Sequence, residues 1–325
     1  MFFRIGGSAV MARYVKVSAI SGFLCKADDP GESSQQLVEK VKSFWRGKLE
    51  KVLSDKPDII VLPECCDIIF GLSSEQRIDY NNKGNQIRDF FSDIAKENNC
   101  YITYSAGRKL PDGTRRNSTQ IIDRKGNIAG IYNKNHLTIG DNENNGTLYG
   151  AEAKVIPCDF GNVACVICFD LNFDELRYKY IQQKPDLILF SSFYHGGLMQ
   201  NYWAYSCRSY FVGCVLEDQN TIISPVGEIV AKSTNYYDHI TDVINLDYVI
   251  CHLDYNRPKL ENMKKKYGYR VKISDPGHLG SVLVTSETDE FTAMDLVNEF
   301  ELETLDEYFE RCRKHRSIPG KIEKI

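Results

Sequence analysis

The sequence predicts an α/β domain over most of the chain. Short apolar segments alternate with amphipathic helical patterns through residues 14 to 250, and no change in composition divides them. Several apolar segments are hydrophobic on both faces, which is typical of strands in sheets that helices cover. We predict one domain over residues 13 to 250. A charged C-terminal extension, residues 251 to 325, is expected to pack on that domain or on a partner subunit.

The first predicted elements are a strand, a helix and a second strand. Apolar and polar residues alternate over residues 15 to 19, as in a half-buried strand. Ser33 or Ser34 can cap the helix that follows, because a serine side chain accepts hydrogen bonds from free backbone amides. Its apolar stripe recurs every three or four residues, at Leu37, Val38, Val41, Phe44, Trp45, Leu49, Val52 and Leu53. Pro57 ends this pattern, and residues 59 to 62 predict a strand that is apolar on both faces.

Further strands and helices follow in alternation. Strands are predicted over residues 101–106, 119–122, 128–132, 163–167, 187–190, 211–216, 221–224 and 228–231. Helices are predicted over residues 87–95, 174–182, 199–209 and 300–309. Gly126 allows a hairpin turn between residues 122 and 128, since glycine adopts positive φ without steric cost. The polar, Asn-rich segment between Tyr132 and Gly150 predicts a loop.

Composition excludes several classes of protein. Forty Lys and Arg against 44 Asp and Glu give a net charge of −4, so no basic footprint for nucleic acid is present. No segment approaches the roughly 18 to 20 apolar residues that a membrane helix needs. The 11 cysteines are odd in number and irregularly spaced, which favours reduced thiols in a cytoplasmic protein. Residues 1 to 12 are interpreted as a leader or start-site extension.

Three chemically capable side chains stand where predicted strands end. Glu64 follows the strand at residues 59 to 62, Lys134 follows the second strand of the hairpin, and Cys168 follows the strand at residues 163 to 167. Catalytic groups of α/β proteins gather at the carboxyl ends of strands. Each residue also has an ordinary structural explanation, so their combination is what indicates a site.

Two cysteine patterns point elsewhere but conflict with strand geometry. Cys165 and Cys168 match the C-x-x-C spacing of redox and zinc sites. Residues an odd number apart in a strand point to opposite faces, so these two thiols cannot readily share a site. Cys65 and Cys66 fail for the same reason. A Cys/His hydrolase with His136 or His195 as its base remains an alternative.

Three sequence blocks together resemble the nitrilase, or carbon–nitrogen hydrolase, superfamily. They are L-P-E at residues 62–64, Y-x-K-x-H-L at 132–137 and C-x-D-x-x-F-x-E at 168–175. Supporting matches are T-I-G at 138–140, Arg177, Ser191-Ser192, Arg208 and S-P-x-G-E-I-V at 224–230. The resemblance implies a four-layer αββα sandwich that pairs through helices into a homodimer or a higher homo-oligomer. It also implies a catalytic triad of Glu64, Lys134 and Cys168.

The chemistry of such a triad follows from ordinary acidities. A cysteine thiol is mostly protonated at neutral pH, so a nucleophilic Cys168 needs a base or a positive neighbour. Glu64 can accept its proton, and Lys134 can favour the thiolate. Lys134 and the Phe169 backbone N–H are the candidates that stabilise the developing oxyanion. No metal or organic cofactor is required.

The resemblance also predicts substrate-contacting residues. Family members carry a second Glu after the Lys block, and we favour Glu143 for this role over Asp141, whose side chain is one methylene shorter. Tyr194 and His195 are expected to line the pocket. The C-F-D sequence at residues 168–170 is similar to the C-x-D of amidases and N-carbamoyl hydrolases rather than the C-W-E of nitrilases.

The predicted function is hydrolysis of a non-peptide C–N bond in a small amide or N-carbamoyl compound. Neither a nucleic acid nor a membrane is an expected partner. Two alternatives stay open: the same scaffold as a noncatalytic binding or interaction subunit, and nitrile hydrolysis or acyl transfer by the same triad.

Overall fold

A computed structural model describes residues 12–22 and 25–323, which fall into two units. The larger unit spans residues 15 to 244, and the smaller one contains residues 12–14 and 245–323. Residues 1 to 11 of the predicted leader lie outside the described residues. Within the described ranges, no helix is both long and apolar enough to span a bilayer.

The larger unit contains strands and helices in alternation. Its strands are β1 (Tyr14–Ile20), β2 (Cys25–Lys26), β3 (Ile59–Val61), β4 (Ile69–Phe70), β5 (Tyr101–Lys109), β6 (Arg115–Ile122), β7 (Ile128–Asn133), β8 (Ile156–Cys158), β9 (Gly161–Ile167), β10 (Leu187–Ser192), β11 (Tyr210–Val215), β12 (Thr221–Ile223), β13 (Ile229–Lys232) and β14 (His239–Asn245). Its helices are α1 (Ser34–Leu53), α2 (Ser74–Tyr80), α3 (Gln86–Glu97), α4 (Ile139–Glu143), α5 (Asp174–Gln183) and α6 (Leu198–Cys207).

Most of these strands form two six-stranded sheets. The first has the order β14-β1-β3-β5-β6-β7, in which β1, β3 and β5 run parallel and β6 and β7 are antiparallel additions. The second has the order β13-β12-β11-β10-β9-β8, in which β9, β10 and β11 run parallel. The shared direction of the central strands places their carboxyl ends at one edge of each sheet.

The central strands are buried on both faces, so each sheet must be covered by another layer on each side. Helices α1 and α3 cover the first sheet with a core that includes Trp45 and Phe91. Helices α5 and α6 lie against the second sheet, where the Tyr180 hydroxyl donates to the Cys165 carbonyl at 2.8 Å. Between the sheets, the Ser191 hydroxyl donates to the Leu62 carbonyl at 2.8 Å. The arrangement is helix, sheet, sheet, helix, which confirms the predicted α/β class.

Sequence patterns spanning a few residues predicted the early elements correctly. Helix α1 spans the predicted apolar stripe and begins after Ser33, which forms a capping box with Gln36. Gly126 has φ of +81° in the hairpin turn between β6 and β7. Both outcomes arise because the determining contacts lie within a few residues in sequence.

Two predictions in polar segments were wrong. The segment between Tyr132 and Gly150 is not only a loop, because Thr138 caps the short helix α4. The helix predicted over residues 300 to 309 is displaced: α8 (Ala293–Glu299) ends before it, and α9 (Leu305–Arg316) begins after Thr304. Thr304 forms a capping box with Glu307, so a local cap rather than the apolar spacing fixes where α9 begins.

The smaller unit has a sheet and a core of its own. Strands β15 (Tyr248–His252), β17 (Ser281–Ser286) and β16 (Val271–Ser274) form an antiparallel sheet in that order, accompanied by α7 (Arg257–Tyr267), α8 and α9. Cys251, Met263 and Val284 lie in its core. Whether residues 251 to 325 pack on the larger unit or on a partner subunit stays a prediction.

A charged cluster around Asp238 joins α1 to the segment before β14. The Asp238 carboxylate forms ion pairs with Lys48 and with Lys51, the latter at 3.2 Å. Its backbone carbonyl accepts a hydrogen bond from the Asn220 side chain at 2.9 Å. Burial alone would raise the pKa of Asp238, but hydrogen bonds from Lys48 and His239 and the lysine charge lower it to about 2.

We predict that Asp238→Asn lowers the free energy of unfolding by about 1 kcal/mol at pH 7, since the cluster is partly open to water. A depressed carboxyl pKa stabilises the fold above the unfolded value of 3.8, and this is lost as pH falls towards about 2. The difference between wild type and variant should therefore shrink below about pH 4 in urea unfolding. Asp242→Asn in β14 is the control, and a pH-independent difference would contradict the prediction.

Candidate active site

The three predicted catalytic residues stand just beyond strand ends of the two facing sheets. Glu64 follows β3, Lys134 directly follows β7, and Cys168 directly follows β9. Glu64 is 3% exposed and Lys134 is 2% exposed, although both carry ionisable groups. Charged side chains are almost never buried this deeply without a partner.

Glu64 and Lys134 form a buried ion pair. Lys134 Nζ donates to Glu64 Oε1 at 2.8 Å, and Asn117 Nδ2 donates to the same oxygen at 2.7 Å. The second oxygen, Oε2, is also buried and accepts no hydrogen bond from a described residue. One carboxylate oxygen is therefore fixed by two donors while the other is left to accept a proton. The sequence did not indicate Asn117, whose role depends on the pairing of β6 with β5.

Cys168 occupies a sharp turn. It begins the short 3₁₀ helix that spans Cys168–Asn172, and its φ is +47°. A residue other than glycine pays a steric cost in this left-handed region, and such strain is concentrated at functional sites. The turn directs the side chain away from the path of β9. It also places the Phe169 amide in the first turn of the helix, where backbone N–H groups lack intrahelical acceptors.

The pKa of the Cys168 thiol depends on the charges of both Glu64 and Lys134. Burial raises the pKa of the Cys168 thiol above its ordinary value, and the Glu64 charge raises it further. Lys134 opposes this, as do hydrogen bonds from the Phe193 backbone N–H and the Ser192 side chain. The balance keeps the thiol protonated at neutral pH, so a base must remove its proton when it attacks.

Lys134 stays charged in spite of its burial. Desolvation lowers the pKa of its ammonium group, but the charges of Glu64 and of the Cys168 thiolate outweigh that effect and raise the pKa. The site therefore contains a cation beside the predicted nucleophile. Such a charge suits the stabilisation of an oxyanion.

The Asp170 side chain links the turn at Cys168 to the segment around Lys134. It is fully buried, and it accepts hydrogen bonds from the Ile167 amide at 3.1 Å, the Tyr132 hydroxyl at 2.7 Å and the His136 amide at 2.7 Å. Ile167 precedes Cys168, and Tyr132 and His136 flank Lys134. Asp170 thus positions the segments that carry two of the predicted catalytic side chains. The C-x-D spacing was the signal in the sequence, but it did not reveal these partners.

His136 does not face Cys168 as a base would. Its ring stacks on Phe173 with centroids 3.9 Å apart, and Nδ1 lies 3.2 Å from the Asp170 carboxylate. These contacts hold the segment that follows Lys134. They give no support to the Cys/His alternative.

Phe169 and Tyr194 lie on loops around the triad. The Phe169 side chain is 37% exposed and contacts Phe173 edge to face. The Tyr194 hydroxyl accepts a hydrogen bond from Asn172 Nδ2 at 2.9 Å. Burial raises the pKa of Tyr194, and the charges of Cys168 and Lys134 also act on it. Both residues are therefore close to the nucleophile, as a substrate contact requires.

Within the described part of the chain, neither His195 nor Glu143 forms a hydrogen bond or an ion pair with Glu64, Lys134 or Cys168. His195 Nδ1 accepts a hydrogen bond from the Gly197 amide at 3.2 Å. Glu143 is exposed at the end of α4 and forms no hydrogen bond or ion pair with a described residue. Asp141 instead forms the capping box of α4 with Thr138. The substrate-binding roles of His195 and Glu143 stay predictions.

The two cysteines of the C-x-x-C pattern, Cys165 and Cys168, differ in how deeply they are buried. Cys165 is 1% exposed inside β9, and burial raises the pKa of its thiol far above the ordinary range. Among the described residues, no group of three or more His, Cys, Asp or Glu side chains could hold a metal ion. The charges of Glu64 and Lys134 act on the thiols of both Cys168 and Cys65, but burial raises the pKa of Cys65 well above its ordinary value.

Known proteins with similar sequences include two kinds of amidase. The chain is 25% identical over 255 residues to the deaminated glutathione amidase of Dictyostelium discoideum, a match that covers 66% of this chain and 87% of that protein. It is 23% identical over 244 residues to the omega-amidase NIT2 of Xenopus tropicalis, covering 66% and 88%.

Solved structures share the fold. The crystal structure of a carbon–nitrogen hydrolase from Helicobacter pylori G27 matches with a TM-score of 0.60 at 16% identity, covering 79% of this chain and 94% of that one. Saccharomyces cerevisiae Nit3, of the nitrilase superfamily, matches with a TM-score of 0.60 at 16% identity, covering 81% and 98%. The carbon-nitrogen hydrolase family pattern matches residues 30–236. Because that match spans more than half of the chain, the protein belongs to the carbon–nitrogen hydrolase family, whose enzymes act on C–N bonds other than peptide bonds.

Proposed function

We propose that the protein hydrolyses the C–N bond of a small amide or N-carbamoyl compound through a thioester on Cys168. The observation that supports this most strongly is the buried Glu64–Lys134 pair, since the charge of each residue acts on the Cys168 thiol. The names of the similar proteins, which include two kinds of amidase, favour an amide substrate.

The first half of the reaction forms the thioester. Glu64 Oε2 takes the proton of Cys168, and the sulfur attacks the carbonyl carbon of the substrate. The carbonyl oxygen gains negative charge, which Lys134 and the Phe169 amide stabilise. When the tetrahedral intermediate collapses, the C–N bond breaks and the leaving nitrogen takes the proton from Glu64. Ammonia or an amine departs, and the acyl group stays on sulfur.

The second half releases the acid. A water molecule enters where the amine left, and Glu64 removes its proton as the oxygen attacks the thioester carbon. Collapse of this second intermediate breaks the C–S bond. Glu64 returns the proton to the thiolate, which restores the protonated Cys168 of the resting site.

Several finer assignments belong to the same proposal. Glu143 would support the substrate and Lys134, and Phe169, Tyr194 and His195 would line the pocket. A cytoplasmic location is supported by the fact that all 11 cysteines are free. A homodimer formed through α5 and α6 is supported by the exposed Tyr178, Leu198 and Tyr202 on those helices.

We expect Cys168→Ala to lower ammonia release from an amide and N-carbamoyl panel by on the order of a thousandfold or more, because it removes the thiol that forms the proposed covalent intermediate. Mass spectrometry of wild-type protein quenched during turnover should find an acyl adduct on the peptide that contains Cys168. Cys312→Ala, which removes an exposed thiol, is the control and should retain full activity. Turnover that survives Cys168→Ala would disprove the mechanism. A wild type that binds but never turns over these compounds would favour a noncatalytic subunit.

The pH dependence of Cys168 alkylation should separate the roles of its two charged neighbours. Glu64→Gln removes a negative charge that raises the thiol pKa, so alkylation by iodoacetamide should begin at lower pH than in wild type. Lys134→Met removes a positive charge that lowers this pKa, so alkylation should begin at higher pH. Peptide mass spectrometry can follow Cys168 separately from the other thiols. Shifts in the same direction in both variants would contradict the proposed site.

A further inference from the structure

The segment between β3 and β4 carries Glu64 near its start and a second buried carboxylate, Asp67, three residues later. Asp67 is 6% exposed, and the proposed reaction uses it in no step. Charged side chains are almost never buried this deeply unless they are paired. The partners of Asp67 therefore show what holds this segment in place.

Two groups from different elements bind the Asp67 side chain. Lys83 lies in the connection between α2 and α3, and its Nζ forms an ion pair with Asp67 Oδ2 at 2.9 Å. The hydroxyl of Tyr104, a buried residue of β5, donates to the same oxygen at 2.9 Å. Asp67 thus joins the segment after Glu64 both to the first sheet and to the connection between α2 and α3.

Tyr80, the last residue of α2, contacts both members of this ion pair. Its hydroxyl donates to the Asp67 backbone carbonyl at 2.6 Å, and Lys83 Nζ lies 4.2 Å from the centroid of its ring. The negative face of an aromatic ring attracts a cation in this position. Loss of the Lys83 charge would therefore disturb the backbone at Asp67 as well as its side chain.

Glu64 extends from the backbone that leads to Asp67. Cys65 has φ of +49°, in the left-handed region that is strained for residues other than glycine. Such strain persists only where surrounding contacts determine the conformation. The Cys66 amide supplies one of these contacts by donating to the Ser105 carbonyl at 2.9 Å, and the Asp67 ion pair supplies another. Both lie within three residues of Glu64.

The direction of the Glu64 side chain decides whether it can act as a base. Lys134 and Asn117 bind its Oε1, whereas Oε2 accepts no hydrogen bond from a described residue and takes the thiol proton in the proposed reaction. A shift of the backbone at Glu64 would move Oε2 relative to Cys168. A misplacement of about 1 Å can cost roughly 100-fold in rate.

We propose that Asp67, through its ion pair with Lys83, is a positioning residue that directs Glu64 towards Cys168. Removing Lys83 would leave the buried Asp67 charge alone, and the segment would have to shift to return that charge to water. Glu64 would then be poorly placed to take the thiol proton, and its charge would act less on the thiol. This inference rests on the proposed hydrolase function and deepens it.

The kinetic test uses Lys83→Met. It should lower kcat on the amide and N-carbamoyl panel roughly 10- to 100-fold and change KM less than about twofold, because the substrate contacts remain. Lys83→Arg keeps the charge and should recover most of the lost kcat. Lys42→Met is the matched control, since Lys42 forms an ion pair of the same length, 2.9 Å, with Glu39 on α1. Equal losses in the two methionine variants, or a raised KM with unchanged kcat, would overturn the proposal.

The pH at which iodoacetamide begins to alkylate Cys168 separates positioning from a direct effect of charge. Loss of the Lys83 cation alone would disfavour the thiolate and move this onset to higher pH. Displacement of Glu64 acts in the opposite direction, because the Glu64 charge raises the pKa of the Cys168 thiol. Lys83→Met should therefore move the onset to lower pH, as Glu64→Gln does. An unchanged onset, or one at higher pH, would contradict the role of Asp67.

Tyr104→Phe provides a second test that does not depend on how well Lys83→Met folds. It removes one hydrogen bond to Asp67 while keeping the ring and every charge. It should lower kcat roughly two- to tenfold and again move the onset of Cys168 alkylation to lower pH. Unchanged kcat and onset in this variant would overturn the proposal.

Alkylation needs no turnover, so failure of the positioning role and failure of the hydrolase function can be told apart. If wild type hydrolyses no compound of the panel while the onsets shift as expected, the hydrolase function is wrong and the positioning of Glu64 by Asp67 stands. If wild type hydrolyses the panel and the onsets do not shift, the positioning role is wrong and the hydrolase function stands.

Discussion

The buried contact between Lys134 and Glu64 is the interaction on which the site depends. Their side chains are 2% and 4% exposed, and removing one partner of such a pair costs about 3 to 5 kcal/mol because a buried charge is left alone. Burial between the two facing sheets removes both charges from water, and this cost is offset only if the remaining polar atoms find partners. Asn117 from β6 provides one such partner.

A second buried carboxylate fixes the turn at Cys168 relative to this pair. Asp170 binds the amide before Cys168 and also binds groups on both sides of Lys134. The strained backbone at Cys168 is therefore held by hydrogen bonds rather than by the turn alone. Glu64 binds Lys134 and Asn117 on the first sheet. Asp170 links the residues around Lys134 to the end of β9.

Sequence patterns predicted what depends on neighbours along the chain. The stripe of α1, the capping by Ser33 and the turn at Gly126 are local, and the order of strands placed Glu64, Lys134 and Cys168 at strand ends. The partners of Asp170 and Asn117 could not be predicted, because they follow from how one sheet pairs and faces another. The start of α9 was wrong for a different reason: a polar cap outweighed the apolar spacing on a mostly exposed helix.

In the proposed mechanism, proton transfer is coupled to oxyanion stabilisation. While Glu64 is ionised, its Oε1 binds Lys134, and its charge raises the pKa of the Cys168 thiol. Once Oε2 has taken the thiol proton, Glu64 is neutral, so its attraction for Lys134 weakens and its opposition to the thiolate disappears. The ammonium charge then acts on the substrate oxygen at the moment when that oxygen becomes negative. In the proposed mechanism, one proton transfer thus both forms the nucleophile and makes the cation available.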